Sequence, residues 1–259
     1  MAELILRELL AAIDDGQPVA LATVVGTRRS VPRHAGTKML VYRDGRQTGT
    51  IGGGEMEARV ITEAVAALAD GRTRVLDYQL VEPTSGDPGV CGGEVQIYLE
   101  PHMPAPTIYI VGCGHVGRAV ADLAHWLEYR VVATDDRPEL ATAEQMPHAD
   151  VVIGGAITDA LSQAPVTPDT HVVVVTRNVD LDLEILPHLV RTEARSIGVM
   201  GSNRRWDTTR GRLLESGVTE AELERVIAPI GIELHAETPE EIALSILAEI
   251  VQLRRAPVD

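Results

Sequence analysis

The segment Ile108-Tyr109-Ile110-Val111-Gly112-Cys113-Gly114-His115-Val116-Gly117 constrains this chain more than any other. An apolar run enters a G-x-G-x-x-G pattern, and an amphipathic stretch from Arg118 to Leu127 leaves it. In that order of strand, turn and helix the three glycines have separate physical roles. Gly112 permits the tight turn, Gly114 lets backbone approach a pyrophosphate, and Gly117 lets helix and strand pack closely. The N–H groups at the helix start, where His115 also sits, favour an anion. Asp135 closes the next β-rich segment, eighteen residues past Gly117, where a carboxylate can accept from a ribose hydroxyl. Asp136 and Arg137 beside it leave NAD and NADP both open. The same glycine geometry also serves packing alone, so the pattern speaks to the fold before it speaks to a ligand.

The surrounding sequence repeats the rhythm. Strand-like segments at 107–111, 130–135, 150–153, 171–176 and 195–200 alternate with amphipathic ones, which calls for a parallel sheet covered on both faces. The expected fold class is α/β: a C-terminal Rossmann-like parallel sheet over 107–259, preceded by a smaller N-terminal α+β domain over 1–100. Pro101, Pro104 and Pro106 mark 101–106 as a stiff, Pro-rich linker between them. In the smaller domain Leu4, Leu6, Leu9, Leu10 and Ile13 predict an opening helix, and strands are expected at 19–25, 38–43, 74–80 and 94–99. A helix is predicted over 55–70, with Val60, Ile61, Ala64, Val65 and Leu68 on one face and Gly71 as its cap. Asp44-Gly45 reads as a hairpin turn. The last helix opens with Thr238, Pro239 and Glu241, a capping box with proline at the first helical position.

Charge narrows the function classes. With 23 Lys and Arg against 38 Asp and Glu, the chain carries a formal charge of −15. That argues against a general nucleic-acid binder, whose affinity rests on clustered cations. Lysine occurs once, at Lys38, so fixed cations in any site are arginines, which suit forked contacts with phosphate. No apolar run reaches the ~18–20 residues needed to span a bilayer, and the first residues lack the zones of a signal peptide. The two cysteines, Cys91 and Cys113, lie beside glycines and not in a disulfide framework. A soluble, cytoplasmic protein is expected.

Outside the glycine loop, three groups of residues can carry chemistry. Gly201-Ser202-Asn203-Arg204-Arg205 follows the fifth strand of the larger domain. Ser202 capping a helix, with Arg204 and Arg205 in its first turn, makes an anion site; solvated arginines on a capped helix are the alternative. Cys91 lies among Gly89, Gly92 and Gly93, which leave its thiol uncrowded as a nucleophile or soft-metal ligand; an inert cysteine is the alternative. Arg33 in the basic loop 28–34, the turn Gly52-Gly53-Gly54 and Glu57 can together hold an anionic ligand between amides and guanidinium groups; a basic surface loop beside a tight turn is the alternative.

Several of these motifs resemble one family. Ser30-Val31-Pro32-Arg33, Gly36-Thr37-Lys38-Met39, Thr48 to Gly54 followed by Glu57, and Cys91-Gly92-Gly93 are similar to the N-terminal half of the XdhC/CoxI family. The second half resembles it too, through Gly112-Cys113-Gly114-His115-Val116, Asp135-Asp136-Arg137-Pro138, Gly201 to Arg205, Ala228-Pro229-Ile230-Gly231 and Glu237 to Ala243. The resemblance implies an accessory chaperone that binds molybdenum cofactor, supports its sulfuration by a cysteine desulfurase and inserts it into a xanthine dehydrogenase-type molybdenum hydroxylase apoenzyme. On that basis Arg33, Gly52, Gly53, Gly54, Glu57, Gly92, Gly112, Gly114, His115, Gly117, Asp135, Ser202, Arg204 and Arg205 are candidate cofactor-binding residues. Cys91 is the candidate catalytic and metal-binding residue, and a homodimer is expected. The alternative is an NAD(P)-dependent oxidoreductase acting on a small molecule through the Rossmann domain.

Overall fold

The computed structural model describes residues 2–29, 31–79 and 93–255. The chain divides into two compact units, Met1–Pro104 and Ala105–Asp259.

The first unit runs α1 (Ala2–Asp14), β1 (Val19–Arg28), β2 (Lys38–Tyr42), β3 (Gln47–Gly49), α2 (Gly54–Asp70), β4 (Arg74–Gln79) and β5 (Glu94–His102). Among the described residues, its five strands form an antiparallel sheet in the order β3-β2-β1-β5-β4. The period of two along a strand sends alternate side chains of β1 to opposite faces. Ala20, Ala22 and Val24 meet Val60, Ala64 and Leu68 of α2, whereas Val19 and Leu21 meet Ile5, Leu9 and Ala12 of α1. Both faces are covered at β1, which is why its sequence reads as a nearly unbroken apolar run. The buried stripe of α1 therefore differs from the expected one: of the five residues that predicted the helix only Leu9 is buried, and Leu4, Leu6, Leu10 and Ile13 face outward. The Asp44-Gly45 hairpin forms, with Gly45 at φ 80° and its N–H donating to the Tyr42 carbonyl at 3.0 Å.

The stiff linker expected over 101–106 is corrected in part, because β5 continues through Pro101 and His102. Pro101 pairs with Ala20, but β4 reaches along β5 only as far as Leu99. Among the described residues the strand has a neighbour on one side only beyond Leu99, so a residue without an N–H is tolerated there as it is at a sheet edge.

The second unit runs β6 (Thr107–Val111), α3 (His115–Trp126), β7 (Arg130–Asp135), β8 (Val151–Gly154), α4 (Ile157–Gln163), β9 (Thr170–Val174), α5 (Val179–Leu189), β10 (Ser196–Val199), α6 (Asn203–Glu215), α7 (Glu220–Leu223), β11 (Val226–Ile227) and α8 (Pro239–Arg255). Its strands form one parallel sheet in the order β11-β10-β9-β6-β7-β8. Counted from β6, that is the 3-2-1-4-5-6 order of the doubly wound Rossmann fold. Every residue of β6 is buried. Tyr109 and Val111 pack with Leu186 and Leu213 on one face, and Ile108 and Ile110 pack with Val120, Ala124, Ile246 and Ile250 on the other. Each such Val, Leu or Ile side chain stabilises the fold by roughly 1.5–3 kcal/mol relative to exposure. The capping box of α8 is present: the Thr238 hydroxyl accepts from the Glu241 N–H at 3.2 Å, and the Glu241 carboxylate accepts from the Thr238 N–H at 3.1 Å. Among the described residues no helix is long and apolar enough to cross a membrane.

Candidate functional site

In a doubly wound sheet the chain leaves the central strands in opposite directions, which opens a crevice at their carboxyl ends. Here the ends of β6 and β9 border a cavity of about 320 Å³. Gly112, Gly114, His115 and Gly117 line it from the glycine turn, Asp135, Asp136 and Arg137 from the end of β7, and Thr176 and Arg177 from beyond β9.

Two of the three glycines are required by the chain itself. Gly112 has φ 120°, and a Cβ there would lie 2.7 Å from the Val175 carbonyl oxygen. At Gly117 a Cβ would come within 1.9 Å of the Gly112 carbonyl oxygen. Gly114 is different. Its φ of −75° suits any residue, and a Cβ built there meets nothing within 4 Å. Its lack of a side chain leaves bare backbone facing the cavity.

Cys113, between these glycines, is buried, and burial together with the charge of Asp135 pushes its thiol up to about 12. Such a thiol is packing and not a nucleophile. Its N–H donates to Asp135 Oδ2 at 2.8 Å. The same oxygen accepts from Arg137 Nη2 at 3.1 Å, and Oδ1 accepts from the Arg137 backbone N–H at 3.0 Å and from its Nε at 2.9 Å. Four donors thus fill the four lone-pair directions of one carboxylate. Asp135, read from the sequence as an acceptor for ribose, is already satisfied from within the chain. Next to it Arg177 forks onto Asp136 at 2.7 and 2.8 Å, and this contact holds the Asp136 carboxyl below its usual range.

Arg205 also turns inward. Its Nε and Nη2 reach Asp182 at 3.0 and 2.7 Å, Nη1 donates to the Thr176 carbonyl at 3.1 Å, and Nη2 donates to the Thr176 hydroxyl at 2.8 Å. Asp182 accepts in addition from the Thr176 hydroxyl. The expected cap is present, since Ser202 accepts from the Arg205 N–H at 3.2 Å, and Arg204 is exposed. Sequence reasoning missed Asp182. The available signal was a carboxylate on the helical stripe of Ile185, Leu186 and Leu189, all of which are buried.

In the first unit Gly52, Gly53 and Gly54 have φ of 145°, 79° and 70° and turn the chain into α2. A Cβ at Gly52 would lie 2.9 Å from Pro32 Cγ. Glu57 reaches back from the helix: Oε2 accepts from the N–H groups of Ile51 and Gly53, both at 3.0 Å, and from the Thr50 hydroxyl at 2.5 Å. Oε1 accepts from Gln47 Nε2 at 2.8 Å. Burial alone would raise the Glu57 carboxyl, but the bonds from Thr50, Gln47, Gly53 and Ile51 outweigh it and hold it below its ordinary value. The chain thereby supplies the anion that these amides were expected to take from a ligand. Arg33 is exposed in the loop after β1. Cys91 and Gly92 lie outside the described residues, and among the described residues no group of three His, Cys, Asp or Glu could hold a metal ion.

The structure therefore gathers Gly112, Gly114, His115, Gly117 and Asp135 around one cavity. Ser202 and Arg205 border a second, tighter crevice with Asp182, and Gly52, Gly53 and Glu57 share a turn of the other unit.

Comparison with known proteins bears on both units. The family description "XdhC Rossmann domain" matches residues 108–250, and "XdhC and CoxI family" matches residues 12–79. The chain is 35% identical over 242 residues to the "Uncharacterized protein YqeB" of Escherichia coli K12, covering 92% of this chain and 44% of that relative's length. It therefore spans less than half of that protein. It is 25% identical over 279 residues to the "Molybdenum cofactor insertion chaperone PaoD" of Escherichia coli K12, across 96% of this chain and 88% of PaoD. A crystal structure described as a xanthine dehydrogenase from Bacillus halodurans matches with a TM-score of 0.52 and 25% identity, over 98% of this chain and 96% of that one.

Proposed function

The chain belongs to the XdhC and CoxI family, and from that premise we propose that it is an accessory protein that binds molybdenum cofactor and inserts it into a xanthine dehydrogenase-type molybdenum hydroxylase. The observation that carries this reading is the likeness to PaoD, which covers 96% of the chain and so is not confined to the nucleotide-binding fold. The cargo is a phosphorylated pterin whose dithiolene holds molybdenum. The cavity of the second unit fits its phosphate chemically: it combines the start of α3, the bare backbone of Gly114 and the guanidinium groups of Arg137 and Arg177. Backbone amides and forked guanidinium donors are the groups that hold phosphate most strongly. Cys91, by its residue type, is assigned to contact the metal or the sulfur delivered by a cysteine desulfurase.

Mass spectrometry of small molecules released from the freshly purified protein, expressed in a host that makes molybdenum cofactor, tests this reading. A released pterin supports it, and its absence overturns it. A Cys91→Ala variant is expected to fold and to lose activation of the partner hydroxylase; normal activation removes Cys91 from the mechanism.

A second reading, an NAD(P)-dependent oxidoreductase acting on a small molecule, draws on Gly114, which neither backbone conformation nor packing requires to be glycine. Titration with NADH and NADPH separates the two, since failure to bind at millimolar concentration ends the redox reading.

A further inference from the structure

Arg137 and Arg177 line the same cavity from two different strand ends. They lie close enough for the charge of Arg177 to act on Arg137. Each has a carboxylate partner, but the two pairs are built differently. The side chain of Asp135 is 1% exposed while that of Arg137 is 37% exposed, so the acid is sealed behind the guanidinium it orients. Asp136 and Arg177 are both part-exposed, at 38% and 43%. A guanidinium carries five N–H donors. Arg137 gives two of its side-chain donors to Asp135, and Arg177 gives two to Asp136. Among the described residues, three on each side chain remain for another acceptor.

We propose that Arg137 and Arg177 form a clamp for a phosphate monoester on the ligand of this cavity, and that Asp135 positions Arg137 instead of binding the ligand. A ribose hydroxyl finds no lone pair left on Asp135, so recognition at this rim passes from the acid to the two cations. A planar fork matches phosphate oxygens in pairs. Asp136 is the competing anion, and a monoester near neutral pH carries more negative charge than a diester, which favours its exchange onto Arg177. The ligand has two chemical sources: the 2′-phosphate of an NADP-type dinucleotide, or the phosphate of a phosphorylated pterin. The inference rests on the cavity being the ligand site, which both functional readings share.

Two arms test it on the full chain. In the first, NADP⁺ and NAD⁺ are titrated by calorimetry into wild type, Arg177→Gln and Arg137→Gln. In the second, pterin content is measured in the same three proteins purified from a host that makes molybdenum cofactor. If the dinucleotide is the source, NADP⁺ binds at least roughly tenfold more tightly than NAD⁺, and the gap closes in Arg177→Gln. If the pterin is the source, wild type retains it and Arg177→Gln loses most of it with an unchanged melting temperature. Arg177→Gln is the decisive variant, because both members of its ion pair are part-exposed and such a pair contributes little to stability. Equal binding of the two dinucleotides, together with equal pterin retention in all three proteins, overturns the clamp and leaves the chaperone reading standing. Preference for NADP⁺ without any retained pterin does the reverse, and a wild-type protein that takes up neither overturns both.

Discussion

Asp182 and Arg205 close on one another at 2.7 Å, with the aspartate side chain wholly buried and the arginine 20% exposed. The pair joins the first turns of α5 and α6 to the end of β9 through Thr176. A buried pair contributes little compared with apolar residues of equal volume, but removing one partner strands the other charge. Arg205→Ala is therefore expected to cost about 3–5 kcal/mol, read as a lower urea midpoint at unchanged slope. Arg205→Lys recovers only part of this, because an ammonium cannot serve Asp182 and the Thr176 carbonyl with one planar fork. A wild-type midpoint for Arg205→Ala would return this residue to the list of free anion ligands.

Glu57 locks the triple-glycine turn as a carboxylate, and its pKa lies below the ordinary 4.5. A lowered folded value means that the unfolded chain takes up the proton first. The stability from Glu57 is thus fully present above 4.5 and is lost as the pH falls through the folded value. Glu57→Gln, which keeps one acceptor, is expected to cost about 1–3 kcal/mol near neutral pH. The difference from wild type shrinks only as the pH drops below 4.5, which urea titrations at stepped pH measure directly.

His171 behaves in the same direction for a different reason. It is fully buried, its Nδ1 shares a 2.7 Å hydrogen bond with Ser196 Oγ, and burial followed by the charges of Arg195 and Arg254 lowers it from 6.5 to about 4. Between those values the unfolded chain binds a proton that the folded one refuses, so stability falls as the pH is lowered from 6.5 toward 4. NMR titration of the imidazole is expected to show a neutral ring until the pH approaches 4. A midpoint near 6.5 would contradict the buried placement.

The glycine loop offers a paired test. Gly117→Ala places a Cβ against the Gly112 carbonyl and is expected to destabilise the second unit severely, with a fall in melting temperature. Gly114→Ala meets no atom of the chain, and as a change at the N-cap of α3 it is expected to cost at most about 1 kcal/mol, a fall of a few degrees in melting temperature. Ligand capture by Gly114→Ala, followed as retained pterin or as dinucleotide binding, is expected to drop. Full capture would show that the backbone there is not approached by a ligand.

The second unit was legible because parallel strands buried on both faces read as short apolar runs, and the glycine loop punctuates them at a recognisable spacing. The same logic failed at α1, where Leu6, Leu10 and Ile13 imitate a core stripe while Ile5, Leu9 and Ala12 form it. Two adjoining apolar arcs on one helix cannot be ranked from periodicity, since only the sheet decides which arc it covers. Pro101 misled for a related reason: a proline rules out a donor, but whether a donor is needed depends on which side of β5 is paired.

What the sequence by itself determined is the order of elements and the backbone shape at the glycines, because side-chain period and φ freedom are local properties. Only the tertiary structure decided which polar groups remain for a ligand. Asp135, Glu57 and Arg205 each look like a binding residue along the chain, and each is saturated by Arg137, by Ile51 and Gly53, or by Asp182. Most buried donors and acceptors are paired, and at these three residues the folded chain makes the pairing through contacts its order does not announce.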